Sequence, residues 1–295
     1  MKQKVVITIT LSVLFAALIL LGIRKSSDRE RFSEKNIPGH EKIIEGIRQN
    51  LVDHAGEVTV CFYFEKDLEN RLPQIVAEWM EDALSETTSP KEGDYIRYQL
   101  GGYETDADVA GTEAGFLHTV RIRPKYYSFY VYEQEVDEAL SGLERVFGFD
   151  EETSEYERAR TVYDYVCDNV SYDRVHVKNG HYFLRSTAYA ALIRRTATCQ
   201  GYSVLLYRMF REAGLDARII TGEARDGFHA WNIVKVDGNY YYVDATWDEG
   251  REEKEFFLKG SRDCAEHVPA REYRKKAFTA NYPVSEYAYD KNDLK

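Results

Sequence analysis

The 295-residue chain is poor in cysteine, with only Cys61, Cys167, Cys199 and Cys264. Four thiols scattered over that length do not make a disulfide framework, and their spacing predicts no pairing. None of them stands with histidine at the spacing of a zinc site, and His176 and His181, close together in a polar stretch, add no such pattern, so no metal is expected. Basic residues are also in short supply: 39 Lys and Arg against 50 Asp and Glu leave a net charge of −11. A phosphate-binding surface needs clustered Lys and Arg, so nucleic acid is not the expected partner. No internal repeat is present. What is left is a globular composition, 44% hydrophobic, with 23 tyrosines. Tyrosines in that number fit strand packing; the second reading is a stacking surface for glycans or peptides.

The length accommodates a segment and about two domains. Residues 5–23 run 19 positions without a charge, and at ~1.5 Å per residue they span about 28 Å, close to a hydrocarbon core. No A-x-A cleavage pattern follows, so residues 1–25 read as a membrane anchor, with a cleaved signal as the alternative. By the positive-inside count alone, Arg24, Lys25, Arg29 and Arg31 after the run would keep the domain inside. Large domains translocate largely regardless of flanking charge, so the globular part is expected outside the cytoplasm. Residues 26–39 form a polar tether. Residues 40–149 read as an α+β domain. Its helices are striped by Ile43, Ile44, Ile47 and Leu51, by Leu72, Ile75, Val76, Trp79, Met80 and Ala83, and by Val136, Leu140, Leu143 and Phe147. Its strands are expected at residues 58–64, 95–100, 116–123 and 126–132, broken by Gly101-Gly102 and Pro124-Lys125. It holds no catalytic set, and His118 is expected to be structural. Residues 150–295 form the second domain.

In that domain Ser154 and Glu157 make a capping box, ahead of a helix striped by Tyr156, Ala159, Val162, Tyr163 and Val166. Residues 171–186 form a long polar loop, expected to rim a cleft because it leads to Cys199. The chemistry lies in residues 197–247, which read A-T-C-Q-G-Y-S, an amphipathic run, F-H-A-W-N-I-V, a turn, and Y-Y-Y-V-D-A-T-W-D. Tyr202, Leu206, Met209, Phe210 and Ala213 share a helix face, Gly214 ends that helix, and Thr198 is the expected N-cap. Cys199 then stands at a helix start, where backbone N–H groups and the dipole favour a thiolate. Asp237-Gly238 is a type I′ hairpin signal between two β-rich runs. A two-residue loop there sets Val236 opposite Asn239 and Trp231 opposite Asp244. His229 and Asp244 become diagonal neighbours on one face, roughly 7–8 Å apart in backbone. Cysteine, histidine and aspartate are thereby offered as thiolate, proton carrier and orienter. Past Trp247 the reading is a charged turn at 251–255, a short strand at 256–258, and a structural His267.

T-A-Y-A-A-L and C-Q-G-Y, then H-A-W-N-I-V, then Y-Y-V-D-A-T-W-D, resemble the bacterial transglutaminase-like family of cysteine acyl-transfer enzymes. The resemblance implies a papain-like α+β core, a helix carrying the cysteine packed on an antiparallel sheet carrying the histidine and aspartate. It assigns Cys199 as nucleophile, His229 as base and Asp244 as orienting acid. Tyr189 and Gln200 are candidates for the oxyanion or substrate side, and Trp231 and Trp247 for walls of the cleft. The expected activity is acyl transfer on protein or peptide amides at the cell surface, with no cofactor; animal members use calcium, but no acidic calcium loop stands in this chain. The alternatives are a thiol protease or amidase with the same triad, and a binding module that keeps the fold without catalysis. One departure is visible: where the family often has glycine just before the cysteine, this chain has Thr196-Ala197, and a left-handed backbone there would strain Ala197.

Overall fold

The computed structural model describes residues 7–9, 34–225 and 227–290. Among them no helix is long and apolar enough to cross a membrane. The expected anchor at 5–23 lies outside the described residues except for Ile7–Ile9, and those three form a β-strand rather than part of a helix.

The chain separates into two compact units, one of residues up to 87 with 100–126, the other of 88–99 with 127–295. In the first, strands β1 (Ile7–Ile9), β2 (Val58–Phe64), β3 (Leu100–Thr112) and β4 (Gly115–Tyr126) form an antiparallel sheet ordered β1-β3-β4-β2. Helices α1 (His40–Val52) and α2 (Leu72–Ala83) belong to the same unit. Val58, Val60 and Phe62 alternate inward along β2, and the Phe62 ring meets Trp79 of α2 edge-on at 5.6 Å. His118 is fully buried, stacks on Phe62 and accepts the Leu68 N–H at 3.0 Å, a packing role.

The expected strand breaks fall differently. Gly101-Gly102 is not a turn but a bulge inside β3, with the register shifting between Leu100 and Tyr103 and Gly102 at φ 118°; glycine in a strand often marks this irregularity. Pro124 lies within β4, opposite Tyr103 beside that bulge.

In the second unit, residues 94–97 form a short helix, α3 (Asp94–Arg97), and not a strand. The aromatic run at 126–132 leads into helix α4 (Tyr130–Phe147). Helices α5 (Glu155–Asn169), α6 (Ala188–Leu192) and α7 (Cys199–Glu212) follow, with a parallel pair of two-residue strands, β5 (Ser171–Tyr172) and β6 (Thr196–Ala197), threaded between them. An antiparallel sheet ordered β10-β7-β8-β9 closes the unit: β7 (Ala217–Ala224), β8 (Gly227–Val236), β9 (Asn239–Val243) and β10 (Val268–Pro269). The boundary expected at 149/150 is displaced because Val136 and Leu140 of α4 join the core built by α5 and α7. Residues 256–258 form no strand, although the neighbouring Lys259 bridges Tyr242 of β9. The capping box is present, Ser154 Oγ accepting the Glu157 N–H while Glu157 accepts the Ser154 N–H.

Every residue of α7 from Gly201 to Phe210 is buried. It is a central helix rather than a surface helix with one apolar face. Arg208, 2% exposed, tolerates this because Asp137 and Glu212 accept its guanidinium at 2.8 and 2.7 Å. The second unit is thus a mixed α+β body in which a buried helix starting at Cys199 packs on the antiparallel sheet.

Candidate active site

Cys199 opens α7 and is half-buried. Thr198 stands at the N-cap in extended conformation, yet its hydroxyl does not cap the helix. It turns instead to Ser186 Oγ and the Arg185 carbonyl, which also accepts the Thr198 N–H at 2.9 Å. The first N–H groups of α7 are therefore not taken by that side chain, which leaves them for an anion at the sulfur.

The polar loop after β5 is tied to this point from both ends. The Asp173 N–H bonds the Ala197 carbonyl at 2.8 Å, and the returning chain meets Thr198 at Arg185. Ala197 pairs with Tyr172 and lies outside the left-handed region, so the absent family glycine costs no strain there. The left-handed residue of this stretch is Arg195, at φ 54°. Glycine is needed instead at Gly201, where a Cβ would stand 2.7 Å from Ala197 Cβ and 2.9 Å from the Arg185 carbonyl oxygen.

The hairpin follows the expected register. Asp237 and Gly238 have φ of 49° and 88°, the left-handed pair of a type I′ turn, and Val236 pairs with Asn239. The ladder runs back to Asn232 opposite Val243, which puts Trp231 next in line with Asp244. His229 Nε2 and Asp244 Oδ2 are 2.7 Å apart. Cys199 acts on the same imidazole, helping to raise its pKa, so His229 stands between the thiol and the carboxylate. Asn232, fully buried on β8, donates from Nδ2 to the Ser203 carbonyl of α7 at 2.9 Å and fixes the helix against the strand that carries His229.

Asp244 is 3% exposed and accepts on both oxygens, with the Thr246 and Trp247 N–H groups on Oδ1 at 3.0 and 3.3 Å. A second histidine, His267, reaches Oδ2 through Nε2 at 2.8 Å. Burial pushes the Asp244 carboxyl up, but the bonds from His229 and His267 outweigh it and hold it at about 2. Burial likewise pushes His229 down, and its bonds to Asp244 and Cys199 reverse this, raising it to about 10.

His229, Asp244 and His267 are the described residues whose donor atoms cluster as an ion site would need, all within 4.8 Å. Both nitrogens aim at one oxygen at 2.7 and 2.8 Å, which are hydrogen-bond separations, and the three form a closed hydrogen-bonded set.

The other candidates lie apart from this chain of bonds. Tyr189 stacks on Tyr132 of α4 at 4.1 Å with its hydroxyl toward Glu135, and Gln200 donates to the Tyr98 carbonyl. Trp231 is 1% exposed, so it backs His229 from within, 6.0 Å between rings. Trp247 is half-buried, stacks on His229 at 5.4 Å and carries Arg225 over its ring at 4.8 Å. Asp248 is buried and serves the scaffold: it accepts Tyr163 Oη and the Glu255 and Phe256 N–H groups. Of the remaining thiols, Cys61 is exposed on β2, because its side chain falls on the outward register. Sequence spacing gave no sign of His267, since it comes from beyond the motifs and reaches Asp244 through β10.

Residues 146–245, about a third of the chain, match the family model of the transglutaminase-like superfamily. Over 129 residues, 38% of this chain, it is 30% identical to the kyphoscoliosis peptidase of Homo sapiens, and over 112 residues 31% identical to that of Mus musculus. It spans only 19% and 16% of the length of those two proteins. Among solved structures, a TGase crystal structure is similar at 19% identity and a TM-score of 0.35, covering 79% of this chain and 58% of that one. A candidate cysteine protease from Cytophaga hutchinsonii is similar at 16% identity and a TM-score of 0.29, covering 49% of this chain and 62% of that one. Likenesses that distant do not bear on the reaction.

Proposed function

We propose that this chain is a cysteine acyltransferase of the transglutaminase-like kind, with Cys199 as nucleophile, His229 as proton carrier and Asp244 as orienter. The observation that carries the reading is the single imidazole that is bonded to Asp244 and feels Cys199. With His229 beside it, the Cys199 sulfur has a proton acceptor at hand. It attacks the carbonyl carbon of a side-chain carboxamide. The oxyanion rests on the Cys199 N–H at the start of α7. The C–N bond breaks as His229 gives its proton to departing ammonia, and a thioester remains. An amine then attacks, His229 takes up its proton, and an amide leaves with the sulfur regenerated.

Water as acceptor gives hydrolysis by the same residues. This second reading is supported by the peptidase name of the human and mouse relatives. The substrate class in either case is a protein or peptide amide. The apolar run at 5–23 supports retention at a membrane with the catalytic unit outside the cytoplasm. Incubation with a glutamine-donor peptide and a tagged amine tests the reading by mass spectrometry. Tag incorporation supports transfer, a one-dalton gain alone supports hydrolysis, and no change in the peptide counts against transfer to it.

A further inference from the structure

We propose that His267 is a positioning residue of this site, a second imidazole that clamps the Asp244 carboxylate so that its bond to His229 keeps one direction. The proposal rests on the cysteine chemistry above. Four donors converge on Asp244: His229 and His267 share Oδ2, and the Thr246 and Trp247 N–H groups share Oδ1. Without His267, one lone-pair direction of Oδ2 would be left empty in a site 3% exposed, and an unmet acceptor there is costly.

The ring acts as a donor through Nε2. Nε2 faces a carboxylate and carries the proton, while Nδ1 is buried without a hydrogen-bond partner. A second proton at Nδ1 would be a buried cationic N–H without an acceptor. Beside it, edge-on at 4.9 Å, lies Trp231, whose Nε1 is also buried without a partner.

Position is fixed by packing. Trp247 lies 4.3 Å and Phe256 5.7 Å from the His267 ring, and the His267 N–H bonds the Cys264 carbonyl. β10 then pairs with β7 at Gly222, itself opposite His229 on β8. The other titratable groups that feel Asp244 are Asp248, Tyr163 and Cys264, while His229 also faces Cys199. Of all these, His267 and His229 are the side chains that donate to its carboxylate.

The test uses the full chain and two measurements. By proton–nitrogen NMR, the wild type should show two slowly exchanging imidazole N–H signals from the bonds to Asp244 at low field, one from His229 Nε2 and one from His267 Nε2. His267→Leu should lose one and broaden the other, and His267→Gln, whose amide reaches the same oxygen, should keep the His229 signal sharp. Iodoacetamide labelling of Cys199 at neutral pH should slow on the order of 10-fold in His267→Leu, the scale of a lost supporting hydrogen bond, and most of the rate should return in His267→Gln. A folded His267→Leu protein labelling at the wild-type rate would overturn the proposal, as would a Gln variant as slow as Leu, or a wild type with one such N–H signal. Should wild-type Cys199 label no faster than exposed Cys61, the cysteine chemistry fails, and the NMR signals still judge His267 on their own.

Discussion

At the residue scale, the four thiols are separated by their surroundings. Burial pushes the Cys167 thiol far up and Cys264 up to about 12, whereas Cys199 faces His229 and Cys61 faces solvent. Alkylation followed by peptide mapping should modify Cys199 first and Cys61 at the rate of an ordinary thiol, with Cys167 and Cys264 labelled only on unfolding. The two aspartates part in the same way. Asp244→Asn, by favouring the wrong tautomer of His229, should lower turnover on the order of 10³–10⁴-fold. Asp248→Asn keeps one acceptor oxygen and loses the other, which takes Tyr163 Oη and the Phe256 N–H if the amide nitrogen replaces Oδ2; it should cost about 1–3 kcal/mol of stability with turnover within a few-fold. A larger loss of turnover in the Asp248 variant would reverse the assignment. Stability against pH tests the pair independently. His229 is raised from 6.5 to about 10, so its contribution is complete below 6.5 and fades as pH rises through 10. Asp244 is lowered from 3.8 to about 2, so its contribution is complete above 3.8 and fades as pH falls through 2. The gap in melting temperature between wild type and Asp244→Asn should therefore be widest between pH 3.8 and 6.5 and close toward pH 10.

At the scale of elements, what could be read in advance is what local chemistry decides. The Asp237-Gly238 turn fixed a register that brings His229 to Asp244, and the Ser154–Glu157 box fixed a helix start. Gly238 has open space around its Cα and φ of 88°, so Gly238→Ala is a test of backbone strain alone. It should cost about 1 kcal/mol in thermal unfolding and leave the ladder intact; no change in melting would mean the left-handed turn is not required. Features decided by distant partners escaped the sequence. Tyr126 to Tyr132 is aromatic and β-branched enough to read as a strand, but the stripe that includes Val136 and Leu140 docks on the second core and draws Tyr130 into α4. The glycine pair in β3 is neutral between a turn and a bulge until a neighbouring strand is present. Thr198 has the right chemistry for a cap, yet Ser186 and Arg185 compete for its hydroxyl. His267 sits in no recognisable pattern, because its partner lies across a sheet and it belongs to no element, standing just before a strand of two residues.

At the scale of the molecule, the apolar run at 5–23 sets the expectation for where the protein resides. Carbonate-washed membranes should retain the full-length chain, and deletion of residues 1–30 should release it into the soluble fraction. Recovery of intact chain in the wash would instead fit the pairing of Ile7–Ile9 with Tyr103–Thr105 of β3. The close approach at Gly222 has a consequence in time. A Cβ there would stand 2.1 Å from the Val268 carbonyl oxygen, so β10 can lie against β7 only at a bare backbone position. The second histidine on Asp244 is thus held by a segment made well after the cysteine, several seconds later at about 5–20 residues per second. A nascent chain already holding Cys199, His229 and Asp244 still lacks the hydrogen bond from His267 to Asp244. Ribosome-stalled chains ending before residue 260 should label slowly at Cys199, and those carrying residue 270 beyond the ribosome should label at the mature rate. A chain with Gly222→Val should stay at the slow rate whatever its length.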